Sequence, residues 1–471
     1  MSSAPTNPLE LPELLKRISR FVTLSDAVVC ARVCKVWSDH FASAIWHTID
    51  FAVHKDLHQI DTKVLARYGH HIRVVKDMKD RDHIMALIVA NANKLRQLSI
   101  TMTATQEFYA NFNDLLRRNN TSIENIDISQ ASIDTAPFFM IDSFFPTPNS
   151  GMTSRLSSIK IQGLTMSRDS FSSLLMVCSA LDYLQIHGTN ILSWPIYDKS
   201  GAHCYKHTGV TYLAAPIEQV FMMDNQSKNA PSLFVHFPNL KTWHTWSHLD
   251  VNVSIKDIRD EVTRCCAFLK CLCSQTTALM TIGMLVQVFC NLTTIAILNE
   301  ELSSDMIMAV LNHQETLNTI STFIPHEGFY ESETVSEVKS NQLDTSGWIT
   351  QSIPRRCPRL NALEFPLFEM DMDDIEMADW GCHDLVVLRI RVRGLDTKEK
   401  IDQAIQLWKQ GRIAIKKQVN DEQAESICSN LQLDIVIPPG DNSIEERVAR
   451  HLLKFKKLRE VWLGWKTRNV A

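Results

Sequence analysis

Residues 156–186 read LSSIKIQGLTMSRDSFSSLLMVCSALDYLQI. Leu156, Ile159 and Ile161 set out an L-x-x-L-x-I pattern. Its last three residues alternate as a strand with one buried face does. The same pattern returns 25 residues later at Leu181, Leu184 and Ile186. Between the two copies, Phe171, Leu174, Leu175 and Cys178 recur at helical spacing and make one apolar stripe. The stretch therefore reads as strand, turn, helix and the next strand. Such a unit exposes an apolar edge until a neighbour stacks on it.

Further copies appear in both directions. They are Leu95-Leu98-Ile100, Ile123-Ile126-Ile128, Leu292-Ile295-Ile297, Leu360-Leu363-Phe365, Leu385-Leu388-Ile390 and Leu458-Val461-Leu463. Leu317-Ile320 carries Thr322 in the third place, and Leu240-Trp243 is a weaker copy. A step of 25 residues recurs from 292 to 317 and from 360 to 385, with 28 from 95 to 123. These steps fall in the 20–29 window of leucine-rich repeats. Helical stripes at Phe108, Phe112, Leu115 and Leu116, and at Ile307, Val310 and Leu311, fit between strands. The expected fold is α/β: a short N-terminal three-helix unit, then a curved leucine-rich-repeat-like solenoid over 52–471, with inner parallel strands and outer helices. The competing reading is an ordinary α/β domain, because the asparagine usual after the strand of a leucine-rich repeat is mostly absent. Long insertions are expected near 190–239 and 393–441. In the second, Ile401, Ile405 and Trp408 mark a helix over 397–410, followed by a polar connection through Lys416 and Lys417. Ile444, Val448, Leu452 and Phe455 predict a last helix before the strand near Leu458.

The N-terminus has a different texture. Residues 1–7 are polar and expected to be disordered. In LELPELLKRISRFV (9–22), Leu11, Leu14, Leu15, Ile18 and Val22 form one helical stripe, and Pro12 suits a first turn. Ser25 or Asp26 is placed to cap a second helix over 27–33, and a short third helix reaches about Ala44. Strand-like residues follow at 45–49. About forty residues cannot hide this much apolar surface internally, so some of it should face a partner or the next domain.

LPELL, then a Leu-Ser-Asp turn, then VCKVW, then IWHTIDF resembles the F-box pattern over residues 8–51. Ala27 departs from it, standing where the family often has leucine. The resemblance implies docking on a Skp-type adaptor and, through it, a cullin-based ubiquitin ligase. The family's adaptor-contacting positions match Leu11, Pro12, Leu14, Leu15, Ile18, Val33, Cys34 and Trp37 here. It implies a substrate-recognition subunit that is not itself an enzyme, with a protein substrate held by the repeats. The alternative is an interaction scaffold in which an F-box-like unit serves as a cap.

Composition narrows the classes. The chain has 471 residues, 45% hydrophobic and 21% charged, as folded proteins do. A net charge of −5 and a pI of about 6.4 argue against bulk binding to nucleic acid, which needs a basic face. No apolar leader core follows Met1, and the most apolar run, 278–292, is shorter than the roughly 20 residues of a membrane span. No membrane partner is expected. The 12 cysteines fit a reducing compartment, cytoplasmic or nuclear.

No nucleotide loop, nucleophile elbow or H-E-x-x-H motif is present, and no cofactor or metal is expected. His203 and His207, or His244 and His248, could ligate a metal, yet each pair lacks partners at a useful spacing. Cys265, Cys266, Cys271 and Cys273 read as buried thiols on a continuing helical pattern. The run 369–379 (EMDMDDIEMAD) holds six carboxylates and no base. It either steers a basic substrate or serves a helix N-terminus.

Overall fold

The computed structural model describes residues 12–19, 21–54, 59–102, 106–130, 154–166, 168–187, 190–191, 204–221, 232–246, 255–274, 279–297, 304–322, 350–419 and 443–464. Leu11 and residues 1–7 lie outside these. The chain divides into two compact halves, 1–240 and 241–471. Both are α/β, with a parallel sheet and helices.

The N-terminal half opens with α1 (Pro12–Ile18), α2 (Leu24–Ala31) and α3 (Lys35–Ile45). Seven strands then pair in parallel. They are β1 (Thr48–Asp50), β2 (Val74–Met78), β3 (Gln97–Met102), β4 (Asn125–Gln130), β5 (Ser158–Gln162), β7 (Tyr183–His187) and β9 (Tyr212–Ala214). The short β6 (Thr165–Met166) and β8 (Asn190–Ile191) pair separately. Between strands run α4 (Thr62–Tyr68), α5 (Arg81–Val89), α6 (Gln106–Asn119) and α7 (Arg168–Val177), and α8 (Ile217–Val220) follows β9.

The C-terminal half repeats the scheme with β10 (Thr242–Thr245), β11 (Cys271–Ser274), β12 (Thr294–Ile297), β13 (Thr319–Ser321), β14 (Ala362–Met370), β15 (Val387–Val392) and β16 (Glu460–Leu463). Its helices are α9 (Ile255–Cys265), α10 (Leu279–Val288), α11 (Ser304–Leu311), α12 (Ser352–Arg356), α13 (Met372–Glu376), α14 (Lys398–Val419) and α15 (Ile444–Leu453). Among the described residues, no helix is long and apolar enough to cross a membrane.

Register explains the repeat. In the N-terminal half one column of facing residues runs Ile49, Val75, Leu98, Ile126, Ile159, Leu184, Leu213. In the other it runs Trp243, Leu272, Ile295, Ile320, Leu363, Leu388, Val461. Every member but Val461 is buried. This is the fourth place of L-x-x-L-x-I, so the sequence pattern is a stacked apolar column. Each buried Leu or Ile contributes about 1.5–3 kcal/mol.

A backbone device accompanies each step. The Arg73 carbonyl accepts from the N–H groups of both Arg96 and Gln97, and that of Arg96 from Glu124 and Asn125. In the C-terminal half Lys270 accepts from Thr293 and Thr294, and Asn318 from Asn361 and Ala362. One carbonyl satisfies two donors at every turn, whatever the side chains, and so tolerates a degenerate sequence.

The described parts of the two expected insertions hold regular structure; residues 192–203, 222–231 and 420–442 lie outside the described residues. Residues 190–239 contain β9; Val210, two residues before it, and Leu213 on it are fully buried in the first and fourth repeat places. In 393–441, α14 continues to Val419, beyond the connection expected at Lys416 and Lys417.

Candidate functional site

The first three helices form a cluster of their own. Thr23, rather than Ser25 or Asp26, caps α2: its hydroxyl oxygen accepts from the Asp26 N–H at 3.2 Å and donates to the Asp26 carboxylate at 2.7 Å. The cap starts α2 at Leu24, three residues before the expected Ala27. Helix α3 packs on both α1 and α2. Leu15, Ala27 and Phe41 make a buried centre, with Ile18, Val22, Cys30, Ala31, Trp37, Ala44 and Ile45 packed around it. Trp37 stacks on Phe41 at 5.6 Å between ring centroids. With alanine at position 27, Leu15 and Phe41 are the only large side chains among the three fully buried at this centre.

The positions matched to adaptor contact therefore divide. Leu15 is fully buried, and Ile18 and Trp37 lean onto the same centre, so these three hold the helices together. Pro12, Leu14, Val33 and Cys34 face outward. They are joined by four residues that the sequence pattern did not single out: Phe21, Leu24, Val29 and Val36. Phe21 is 83% exposed, Val33 62%, Val29 61% and Leu14 39%. The signal for these was present. Val29 and Val33 sit four apart, and Phe21 and Leu24 flank the capping turn, away from the stripe that binds the centre. Large apolar side chains left exposed on so small a unit are candidates for an interaction surface.

The helices are tied to the sheet beside them. Trp46 stacks on Tyr68 at 5.5 Å, nearly parallel, with Arg67 over the same ring at 5.2 Å. Strand β1 pairs with β2, burying Ile49, and Phe51 stacks on His83 at 3.9 Å.

The other candidate residues have structural duties. His207 is buried; its Nε2 donates to the Cys178 carbonyl at 2.9 Å, and its Nδ1 accepts from the Gly209 and Val210 N–H groups. Burial holds it below the usual histidine range. His203 and His248 lie outside the described residues, and His244 is buried on β10. Among the described residues, no group of three or more His, Cys, Asp or Glu is placed to hold a metal. The cysteine-rich segment is not one helix. Helix α9 ends at Cys265, Cys266 is buried after it, and Cys271 and Cys273 lie on β11.

The acidic run is answered by the chain's own cations. Asp371 caps α13 by accepting from the Asp373 N–H at 2.9 Å. Arg447 on α15 reaches Asp373 at 2.5 Å and Glu376 at 2.7 Å, and Lys454 reaches Asp379 at 2.8 Å. The helix-N-terminus expectation holds for Asp371 at the cap and for Asp373 and Asp374 in the first turn, while Asp373, Glu376 and Asp379 also tie the run to Arg447 and Lys454 at α15.

A wide-mouthed depression of about 580 Å³ is lined by Glu124, Ser154, Arg155, Ser157, Ser179 and Ala180. Among the described residues that line it, Glu124 and Arg155 are the titratable ones. No protein-family model matches the sequence, and no curated protein is significantly similar to it.

Proposed function

We propose that this chain is the substrate-recognition subunit of a Skp–cullin–F-box ubiquitin ligase. Its helical triplet docks the adaptor, and a leucine-rich-repeat-like solenoid holds a protein substrate. The observation that carries the reading is the split of α1–α3 into an inward set (Leu15, Ala27, Phe41) and an outward apolar set (Leu14, Phe21, Leu24, Val29, Val33, Val36). A cap that only closed a repeat array would turn its apolar side chains toward that array. A docking module keeps them free. Parallel strands in chain order, with stacked apolar columns, support the solenoid reading. The subunit contributes proximity, bringing substrate and ligase together without performing the transfer.

The test is co-purification of the full chain with a Skp-type adaptor, beside a chain lacking residues 1–45. Cutting there keeps β1, so that the β2 edge stays covered. Capture by the full chain and none by the shortened one supports the reading; equal capture by both refutes it.

A further inference from the structure

Cys271 and Cys273 are two residues apart on β11 and so share one face of the strand. Their sulfurs lean together to 3.9 Å. Cys271 is half-buried and Cys273 nearly covered, packed beside Ala296 of β12. Pairing with β10 and β12 on either side fixes the backbone here. Two residues of strand span about 6.6 Å between Cα atoms. That lies at the long end of the roughly 4.4–6.8 Å window for a disulfide, where a bond is strained and the more readily reduced again.

The two thiols are unequal. Hydrogen bonds from Cys273 and from Thr242 hold the Cys271 thiol below its usual range, against the opposing effect of burial. The same contact and burial push the Cys273 thiol up. Cys271 is thus the less buried sulfur of the pair and the one whose thiol is held lower, with a second thiol 3.9 Å away to resolve the product. By contrast, Cys178, Cys357 and Cys382 are buried, and their thiols are pushed up to about 12.

We propose that Cys271 and Cys273 form a reversible dithiol–disulfide couple, a redox modification site that responds to peroxide-class oxidants. The Cys271 thiolate attacks one peroxide oxygen. The O–O bond breaks, leaving a sulfenic acid and, after proton uptake, water. The Cys273 sulfur then attacks the Cys271 sulfur. The S–O bond breaks, the S–S bond forms, and a second water departs with the Cys273 proton. Two electrons from the thiol pair reduce one peroxide to two waters.

The test treats the full chain with one equivalent of hydrogen peroxide, then alkylates the remaining thiols. Fragment mass spectra of the peptide containing residues 271–273 are recorded. The expected result is loss of two hydrogens between Cys271 and Cys273 before the exposed Cys34 and Cys290 are oxidised, reversed by dithiothreitol. In Cys273→Ser, Cys271 is trapped by a sulfenic-acid reagent; in Cys271→Ser, residue 273 stays a free thiol. Full alkylation of both residues while Cys34 or Cys290 oxidises first overturns the proposal, as does pairing of either with a different cysteine. The wild-type result decides the matter even if a variant folds poorly.

Discussion

The helical triplet and the repeat strands use the same residue types to opposite ends. Along β1–β5, β7 and β9, each apolar residue of the column meets the next and disappears from water. In α1–α3, Leu15 and Phe41 are buried while Leu14, Phe21, Val29 and Val33 stay in water. The difference is one of neighbours. A strand in a stacked array has a partner on each side, whereas the three short helices pack on one another and reach α4 through Trp46 and Asp39. Apolar surface in the stack is buried between strands, whereas in the helical unit part of it is left exposed.

The comparison breaks most readily in the columns. Leu184→Ala or Leu363→Ala is expected to destabilise its half by about 2–5 kcal/mol, measured by urea unfolding, because each leaves a cavity between two strands. Val33→Asp and Leu14→Asp are expected to change stability by no more than about 0.5 kcal/mol, as exposed positions do. Equal losses at the two kinds of site would remove the distinction.

The next test compares two repeats. In one, Asn119 at the end of α6 accepts from the Leu95 N–H at 2.8 Å and donates to the Ala92 carbonyl at 2.7 Å. In the other, His313 accepts from the Leu292 N–H at Nδ1 and donates to the Val286 carbonyl at 2.9 Å from Nε2. Leu95 and Leu292 hold the same repeat place. Asn119→Ala or His313→Ala strands buried backbone groups, and each is expected to cost about 1–3 kcal/mol. The two should differ in acid. Burial holds His313 below its ordinary pKa. The unfolded chain therefore takes up the proton first, and the contribution of His313, intact above about pH 6.5, is lost as pH falls toward its folded pKa. His207 and His236 shift the same way, and fully buried His451 is pushed down to about 3. Urea midpoints at pH 7 and 5 should therefore fall in the wild type. They should fall less in His313→Asn, whose side chain does not titrate; an unchanged slope would count against the ring's buried role.

The smallest effect belongs to the acidic run. Asp373→Asn removes one arm of an ion pair to Arg447 whose carboxylate side is largely exposed. About 0–1 kcal/mol is expected, shrinking further with salt. A loss well beyond that range, in the same urea titration, would mean that the run does more than dock α15.

Legibility followed the same division. The columns could be read wherever all three repeat places were large and apolar, as at Leu156-Ile159-Ile161. Three copies escaped for local reasons. After Ile72 and Val75, the third place falls on Asp77, which has a positive φ of 52°; the register slips there, and Met78 takes the buried position opposite Ile100. After Val210 and Leu213 the place is filled by Ala215, and after Leu269 and Leu272 by Ser274, both buried and too small to register as a pattern. Asn119 and His313 were invisible because each serves a turn more than twenty residues upstream. In the helical triplet, the stripe through Leu15 and Ile18 was readable, but which stripe stays outside depends on how the helices pack. Hence Phe21, Leu24, Val29 and Val36 could be read as apolar in the sequence, but their outward placement came from the structure.

The central claim is that the outward face of α1–α3 is a docking surface rather than unfinished core. It is tested most directly by titrating a purified Skp-type adaptor into the full chain and into the Leu14→Asp/Val33→Asp double variant. The expected result is a loss of at least about tenfold in affinity, about 1.4 kcal/mol, with an unchanged unfolding midpoint. Equal affinity for the two chains, or no binding to the wild type, would contradict it.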